Sequence, residues 1–404
     1  MDAHPVRSAI ITLVEQHAAE CAALGMLRSQ ACRSPRHNRR DITHLDERFS
    51  VHLDGVREAE SVGWEVVLAA AVANPEIGEI MTVLATALLV PEQRDARLSQ
   101  ALAAFPAGPL VIWYRAGMVA RWLDDPAIVG LMTTSQRVTD KRYRAAALGA
   151  ARQRGWAVPG LVAESLRDPA VALFAAEVAG ALGDPLLRPA LRTLLTSDDM
   201  PTRFAAAQAL ILRGDEPSAW RVAMWFAEAE VSQRRAALDL LGRCAQPVSM
   251  PAWINRLADD PARSREALVL AAAWGDPQVL PWVVGRLHDP ATTRLAGWVV
   301  TMISGIDLVE EDLSLAIDDD DGVTDDPEDP QVEPDPDHQL PWPDVAAVEQ
   351  RLARLNLPAG VRHLAGRPLD QEACAAILAD GQQPQRWAAA VELVRVQGGV
   401  LPAL

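Results

Sequence analysis

The chain has 404 residues, a mass of 43.7 kDa and a formal net charge of −16, more than one compact core usually needs and suited to two or three domains or one elongated array. Half of the residues are apolar and 23% are charged, which excludes wholesale disorder. The apolar half is mostly Ala and Leu, so helix is favoured over sheet.

The opening M-D-A-H-P-V-R shows no basic region followed by an apolar run, so no signal peptide is expected. The longest stretch without a charge, Leu98–Tyr114, is 17 residues and is broken by Pro106 and Pro109. It is too short and too interrupted to span a bilayer. Four scattered cysteines, Cys21, Cys32, Cys244 and Cys374, do not make a disulfide framework. A cytoplasmic, reducing setting is therefore expected. Lys141 is the only lysine against 37 arginines, a pattern of GC-rich coding rather than of phosphate chemistry.

Residues 1–120 are expected to form an N-terminal helical cap. They hold five of the eight histidines, His4, His17, His37, His44 and His52. C-x-x-C, H-x-x-x-H and H-E-x-x-H spacings are all absent, so these are expected to be surface or boundary histidines, with no metal and no other cofactor. Asp46, Arg48, His52 and Asp54 fall close together on one helix. A general acid or base needs a pocket with a nucleophile or metal nearby, and the sequence offers neither. An Asp–Arg pair or solvated charges is the simpler expectation, and no catalytic residue is assigned. Arg28, Arg33, Arg36, Arg39 and Arg40 form a stretch without an acid around Ser34-Pro35. It reads as a solvated loop, or as a transient contact for the acidic tract described below.

Residues 121–306 carry an internal period. Breaks recur at Gly183-Asp184, Gly214-Asp215, Gly275-Asp276 and Gly305-Ile306-Asp307, in steps of 31, 61 and 30 residues. Between them lie L-R-D-P-A (166–170), D-D-M-P-T (198–202), A-D-D-P-A (258–262) and L-H-D-P-A (287–291). Each marker precedes an Ala-rich segment such as R-F-A-A-A-Q-A-L (203–210). The period predicts two helices of about ten to twelve residues, with Asp at the start, Pro in the first turn and Gly at the stop. One such hairpin cannot bury its apolar face alone, so neighbours must stack. Ala206 is expected at such a contact. Arg203, Arg234, Arg265 and Arg294 recur at steps of 31, 31 and 29 and are expected to hydrogen-bond between repeats rather than to bind anions. Trp220, Trp253 and Trp282 recur 33 and 29 apart. Packing is their commoner use, and a row at constant phase is also a candidate partner-binding surface.

Residues 307–341 concentrate the acidity, with fifteen Asp and Glu between 307 and 337 and no Lys or Arg between Arg294 and Arg351. Without those fifteen the chain is close to neutral. Repulsion and the four prolines between 307 and 337 predict an extended, flexible insertion. Asp318, Asp319, Asp320 and Asp321 are candidate contacts for a basic partner. Gly322 follows them as in a calcium loop, but Glu328 falls among prolines with no flanking helix, so calcium is not expected. Residues 342–404 are expected to form a terminal helical repeat or cap, since R-W-A-A-A-V-E-L-V-R-V-Q (386–397) returns to the Ala-rich pattern.

The repeats at about 142–306 and again at 386–397 resemble HEAT-like repeats of the short, roughly thirty-residue kind shared with phycobilisome lyase subunits. The resemblance implies an all-α fold, a HEAT-like α-solenoid of antiparallel helix pairs. H-L-D-E-R-F-S-V-H-L-D-G-V (44–56), G-W-E (63–65), G-E (78–79), P-A-G-V-R-H-L-A-G-R-P-L (358–369) and G-Q-Q-P-Q-R-W-A-A-A (381–390) are similar to an uncharacterised proteobacterial HEAT-repeat family often encoded near type VI secretion components. That resemblance implies a non-catalytic scaffold or adaptor for a protein partner, a secretion component or effector, in effector loading or assembly. It carries no activity over. Two other classes stay open: a HEAT-like enzyme, lyase or nucleic-acid glycosylase, and an inhibitor or immunity-type protein using the acidic arm. No His-Glu dipeptide occurs, against the iron-binding HEAT-like hydroxylases, and a near-neutral body opposes a nucleic-acid partner.

Overall fold

In the computed structural model the described residues are 10–105, 108–214, 217–244, 249–316 and 336–404. They are almost entirely helical and divide into two compact units. One comprises Met1–Arg33, Arg40–Trp220 and Gly398–Leu404, the other Ser34–Arg39 and Arg221–Gln397.

The first unit contains α1 (Ile11–Ala31), α2 (Arg39–Glu58), α3 (Glu60–Ala73), α4 (Ile77–Leu88), α5 (Arg94–Ala104), α6 (Leu110–Ala116), α7 (Asp125–Arg137), α8 (Lys141–Arg154), α9 (Leu161–Ser165), α10 (Ala172–Leu182), α11 (Arg188–Leu194) and α12 (Met200–Leu212). Helices α4, α6, α8, α10 and α12 pack each against the next as one row. Helices α3, α7, α9 and α11 lie against α4, α8, α10 and α12. This paired, sideways stacking is the arrangement of a HEAT-like α-solenoid. The row is built from small residues: Ala145–Ala151 of α8, Ala175 and Ala176 of α10, and Ala205–Ala207 of α12 are buried. Ala side chains lose no rotamer freedom and let backbones approach. Ala206 is fully buried. Ala206→Glu is expected to destabilise the chain by about 3 kcal/mol or more, since a buried carboxylate there would lack a partner, and the urea midpoint should fall accordingly.

The division falls within α13 (Pro217–Glu228). The second unit continues with α14 (Arg234–Cys244), α15 (Met250–Ala258), α16 (Ser264–Trp274), α17 (Leu280–Leu287), α18 (Thr293–Ser304), α19 (Val345–Leu352), α20 (Gln371–Asp380) and α21 (Gln383–Gln397). Its row is α14, α16 and α18, with α15 on α16 and α17 on α18. Two small antiparallel ladders complete it. Strands β1 (Ser314–Leu315) and β2 (Trp342–Pro343) pair with each other, and β3 (His363–Leu364) pairs with β4 (Arg367–Pro368).

Local chemistry sets the boundaries. Asp124, Asp199 and Asp370 accept from the backbone N–H of Ala127, Thr202 and Ala373 at 2.8–3.0 Å, as N-caps do. Gly155, Gly183, Gly275 and Gly305 end α8, α10, α16 and α18 at φ of 72–80°, a conformation cheap only for glycine. Four outer helices are shorter than the predicted ten to twelve residues: α9, α11, α15 and α17 span five to nine, while α7 spans 13. The Asp-Pro markers explain part of this. Asp184 and Asp276 accept from the N–H two residues on, which closes a tighter 3₁₀ turn over Pro185–Leu187 and Pro277–Val279 before α11 and α17 begin.

The recurring arginines also have structural partners. Arg203 Nε donates to Ser197 O at 2.7 Å, Arg234 to Ala229 O at 2.6 Å and to Glu266, Arg265 to Ala291 O at 2.9 Å, and Arg294 to Leu340 O at 2.7 Å. Both described ends of the acidic tract are tied to the second unit. Glu311 pairs with Arg351 at 2.6 Å, and buried Asp337 pairs with Arg265 at 2.8 Å.

Candidate interaction surface

The last carbonyls of an α-helix have no intrahelical donor. In the first unit arginines and an extended segment take them. Arg213, just past α12, donates from Nε to Gly180 O at 2.7 Å and from Nη2 to Ala181 O. The closing segment Gly398–Leu404 runs over the same helix ends. Leu401 N donates to Ala181 O at 2.9 Å. Arg152, near the end of α8, donates to Leu401 O at 3.0 Å and to Pro402 O at 3.1 Å. The Leu401 side chain is 3% exposed.

Arg152 also belongs to a charged cluster contributed by three successive helices of the row. Tyr114 and Arg115 come from α6, Arg152 from α8, and Glu177 from α10. The Tyr114 ring stacks on Phe174 with centroids 4.5 Å apart. Its phenol donates to the Glu177 carboxylate. Glu177 keeps much of its surface open, yet surrounding atoms desolvate it and raise its carboxyl pKa, against the Tyr114 hydrogen bond and the charges of Arg152 and Arg115. Desolvation raises the Tyr114 phenol well above its ordinary range, with Glu177 adding to it, and lowers Arg152 and Arg115.

A raised carboxylate pKa means that the folded chain holds this proton more tightly than the unfolded chain. Stability from this group is therefore present at low pH and declines as pH rises from the ordinary Glu range through the raised value. Glu177→Gln should flatten that decline in thermal melts taken across the range, and an unchanged slope would show that Glu177 does not cause it.

The other candidates fall elsewhere. Trp220 is half-buried in the first unit; Trp253 is 9% exposed and Trp282 half-buried in the second. The indole N–H groups of Trp220 and Trp253 have no hydrogen-bond partner among the described residues. Trp225, which the spacing did not single out, is 46% exposed beside Met224. Asp318, Asp319, Asp320 and Asp321 lie outside the described residues. Asp46 pairs not with Arg48 but with buried Arg28 and, at 3.0 Å, with Arg121. His52 meets His17 of α1, Nδ1 to Nδ1 at 3.1 Å, a juxtaposition of two helices that in-helix spacing does not reveal. Among the described residues no three His, Cys, Asp or Glu side chains gather as a metal set, and no helix is long and apolar enough to cross a membrane.

The cysteines differ in availability. Burial pushes the thiols of Cys21 and Cys244 up to about 12 and that of Cys374 to about 11. Thiolate is the reactive form. Iodoacetamide at neutral pH is expected to modify Cys32, which is only half-buried, and to spare the other three; alkylation of Cys21 or Cys244 in the native chain, read by peptide mass spectrometry, would contradict this.

Compared with known families, residues 158–242 match HEAT repeats. A HEAT-repeat-like helical domain is therefore present, and it covers α9 to α14. No curated protein and no solved structure matches the chain.

Proposed function

We propose that this chain is a non-catalytic scaffold or adaptor that binds a protein partner. The observation that carries this reading is the Tyr114–Arg152–Glu177 cluster. Three successive helices of one row bring an aromatic stack, a carboxylate and guanidiniums to a single, partly solvent-open patch, the mixture that protein-binding hot spots favour. The likeness of 44–56, 63–65, 78–79, 358–369 and 381–390 to a family encoded near type VI secretion components supports a setting in secretion, with an effector or assembly component as partner.

Tagged chain recovered from its native host tests both levels. Wild type is expected to retain a secretion component, and Glu177→Arg to lose it by on the order of tenfold or more. Leu186→Ser, at an exposed apolar position, should retain it. A partner held equally by wild type and Glu177→Arg sinks the assignment of this patch, and an eluate without secretion components sinks the setting.

A further inference from the structure

The first unit already holds an extended peptide. Gly398–Leu404 is fixed largely through its main chain: Arg152 donates to the carbonyls of Leu401 and Pro402 at 3.0 and 3.1 Å, Arg213 donates to Gly399 O at 2.5 Å, and Leu401 N donates to Ala181 O. Such bonds do not depend on sequence. Side-chain selection falls to Leu401, which is 3% exposed, while neighbouring Val400 is 45% exposed. Pro402 keeps the residue before it extended, which suits a strand laid across helix ends. Gly398 and Gly399 precede it at φ of 74° and 85°, and neither has a neighbour within 4 Å of where a Cβ would stand. That dipeptide is an open hinge.

The second unit supplies a contrast. There the β3–β4 hairpin covers the ends of α16 and α18, and His363, Ala365 and Gly366 donate backbone N–H groups to Gly275, Met302 and Ile303. Three backbone N–H groups stitch it on both sides of its turn, whereas Gly398–Leu404 follows a glycine hinge and, among the described residues, donates one backbone N–H, that of Leu401, to the helix ends.

From this geometry we infer that the groove along the ends of α8, α10 and α12 is a peptide-binding site that Gly398–Leu404 occupies as a displaceable self-ligand. Its other occupant is an extended, uncharged segment of a partner protein carrying a leucine followed by proline. The inference rests on the scaffold reading, since Arg152 is shared by the groove and the cluster beneath it. Exchange would therefore couple partner binding to release of the closing segment.

The test uses the full chain and a fluorescein-labelled peptide, Gly-Gly-Val-Leu-Pro-Ala-Leu, followed by anisotropy. Leu401→Asp should expel the closing segment and open the groove. This variant is expected to bind the peptide about tenfold or more tightly than wild type, to ignore a peptide with Asp in place of its first Leu, and to lose binding when Arg152→Gln is added. Equal or absent binding to wild type and Leu401→Asp, or equal binding of the Asp peptide, would overturn the inference. Should Leu401→Asp fail to fold, hydrogen exchange on wild type decides: saturating peptide must accelerate exchange of the Leu401 amide, and no acceleration refutes displacement. A dimer of wild type in light scattering at the same concentration, with the segment exchanged between copies, would overturn the assignment to a partner. The synthetic peptide makes the result independent of native capture, so a failure here leaves the capture experiment standing on its own.

Discussion

Asp46→Ala is expected to destabilise the first unit by about 3–5 kcal/mol, because it strips the carboxylate from a guanidinium that has no route to water. Arg28 is 1% exposed. Its Nε donates to Asp46, its Nη1 faces the sulfurs of Cys32 and Met118 at 3.4 Å, and the Trp122 ring lies 5.6 Å from its Cζ. Nη2 has no hydrogen-bond partner among the described residues. Arg121 reaches the second oxygen of Asp46 at 3.0 Å, so one carboxylate serves two cations. Removing it leaves both charges facing each other. Urea unfolding of Asp46→Ala should show the loss, and Arg28→Met combined with Asp46→Leu should recover most of it, since an apolar replacement of a buried pair is close to neutral. A loss below about 1 kcal/mol would mean that water reaches Arg28 after all.

The second large effect belongs to Gly149→Ala. A Cβ there would lie 1.9 Å from the carbonyl oxygen of Tyr114 and 3.1 Å from the Cα of Gly117. Neither obstacle is a mobile side chain, so α6 must move away from α8. The expected cost is about 3 kcal/mol, the upper range of overpacking. Displacing Tyr114 should also disturb its stack on Phe174 and its bond to Glu177, so partner recovery should fall with stability. Gly285→Ala is the control. Its Cβ would meet nothing within 4 Å on α17, and relief of glycine's helix penalty should stabilise by up to about 1 kcal/mol. Equal melting temperatures for the two variants would refute the close-approach argument.

Periodicity made the row legible in the sequence, because Asp, Pro and Gly at the turns act locally and recur at a fixed step. The same locality explains what was missed. A helix shortened by an Asp-Pro turn keeps the spacing of its neighbours, so α17 was expected longer than its eight residues. The β3–β4 hairpin was hidden within 358–369, although Ala365 and Gly366 take positive φ of 49° and 76° in its turn, a signature that A-G carries less clearly than N-G. The cluster was not legible at all. Tyr114, Arg152 and Glu177 are separated by 38 and 25 positions and stand in no motif. Only the stacking of α6, α8 and α10 brings them to one surface. Asp46 was placed near Arg48 by helical spacing, whereas a charge from another helix, Arg28, is its partner.

The near-absence of lysine has a practical corollary. Lys141 already engages Asp168, so an ester reagent that seeks primary amines finds little to label on this polypeptide. Covalent mapping of whatever rests on the groove or the cluster must go through carboxylates or photoactivation instead. A blank result from the usual amine chemistry would reflect the composition of the chain and not an empty surface.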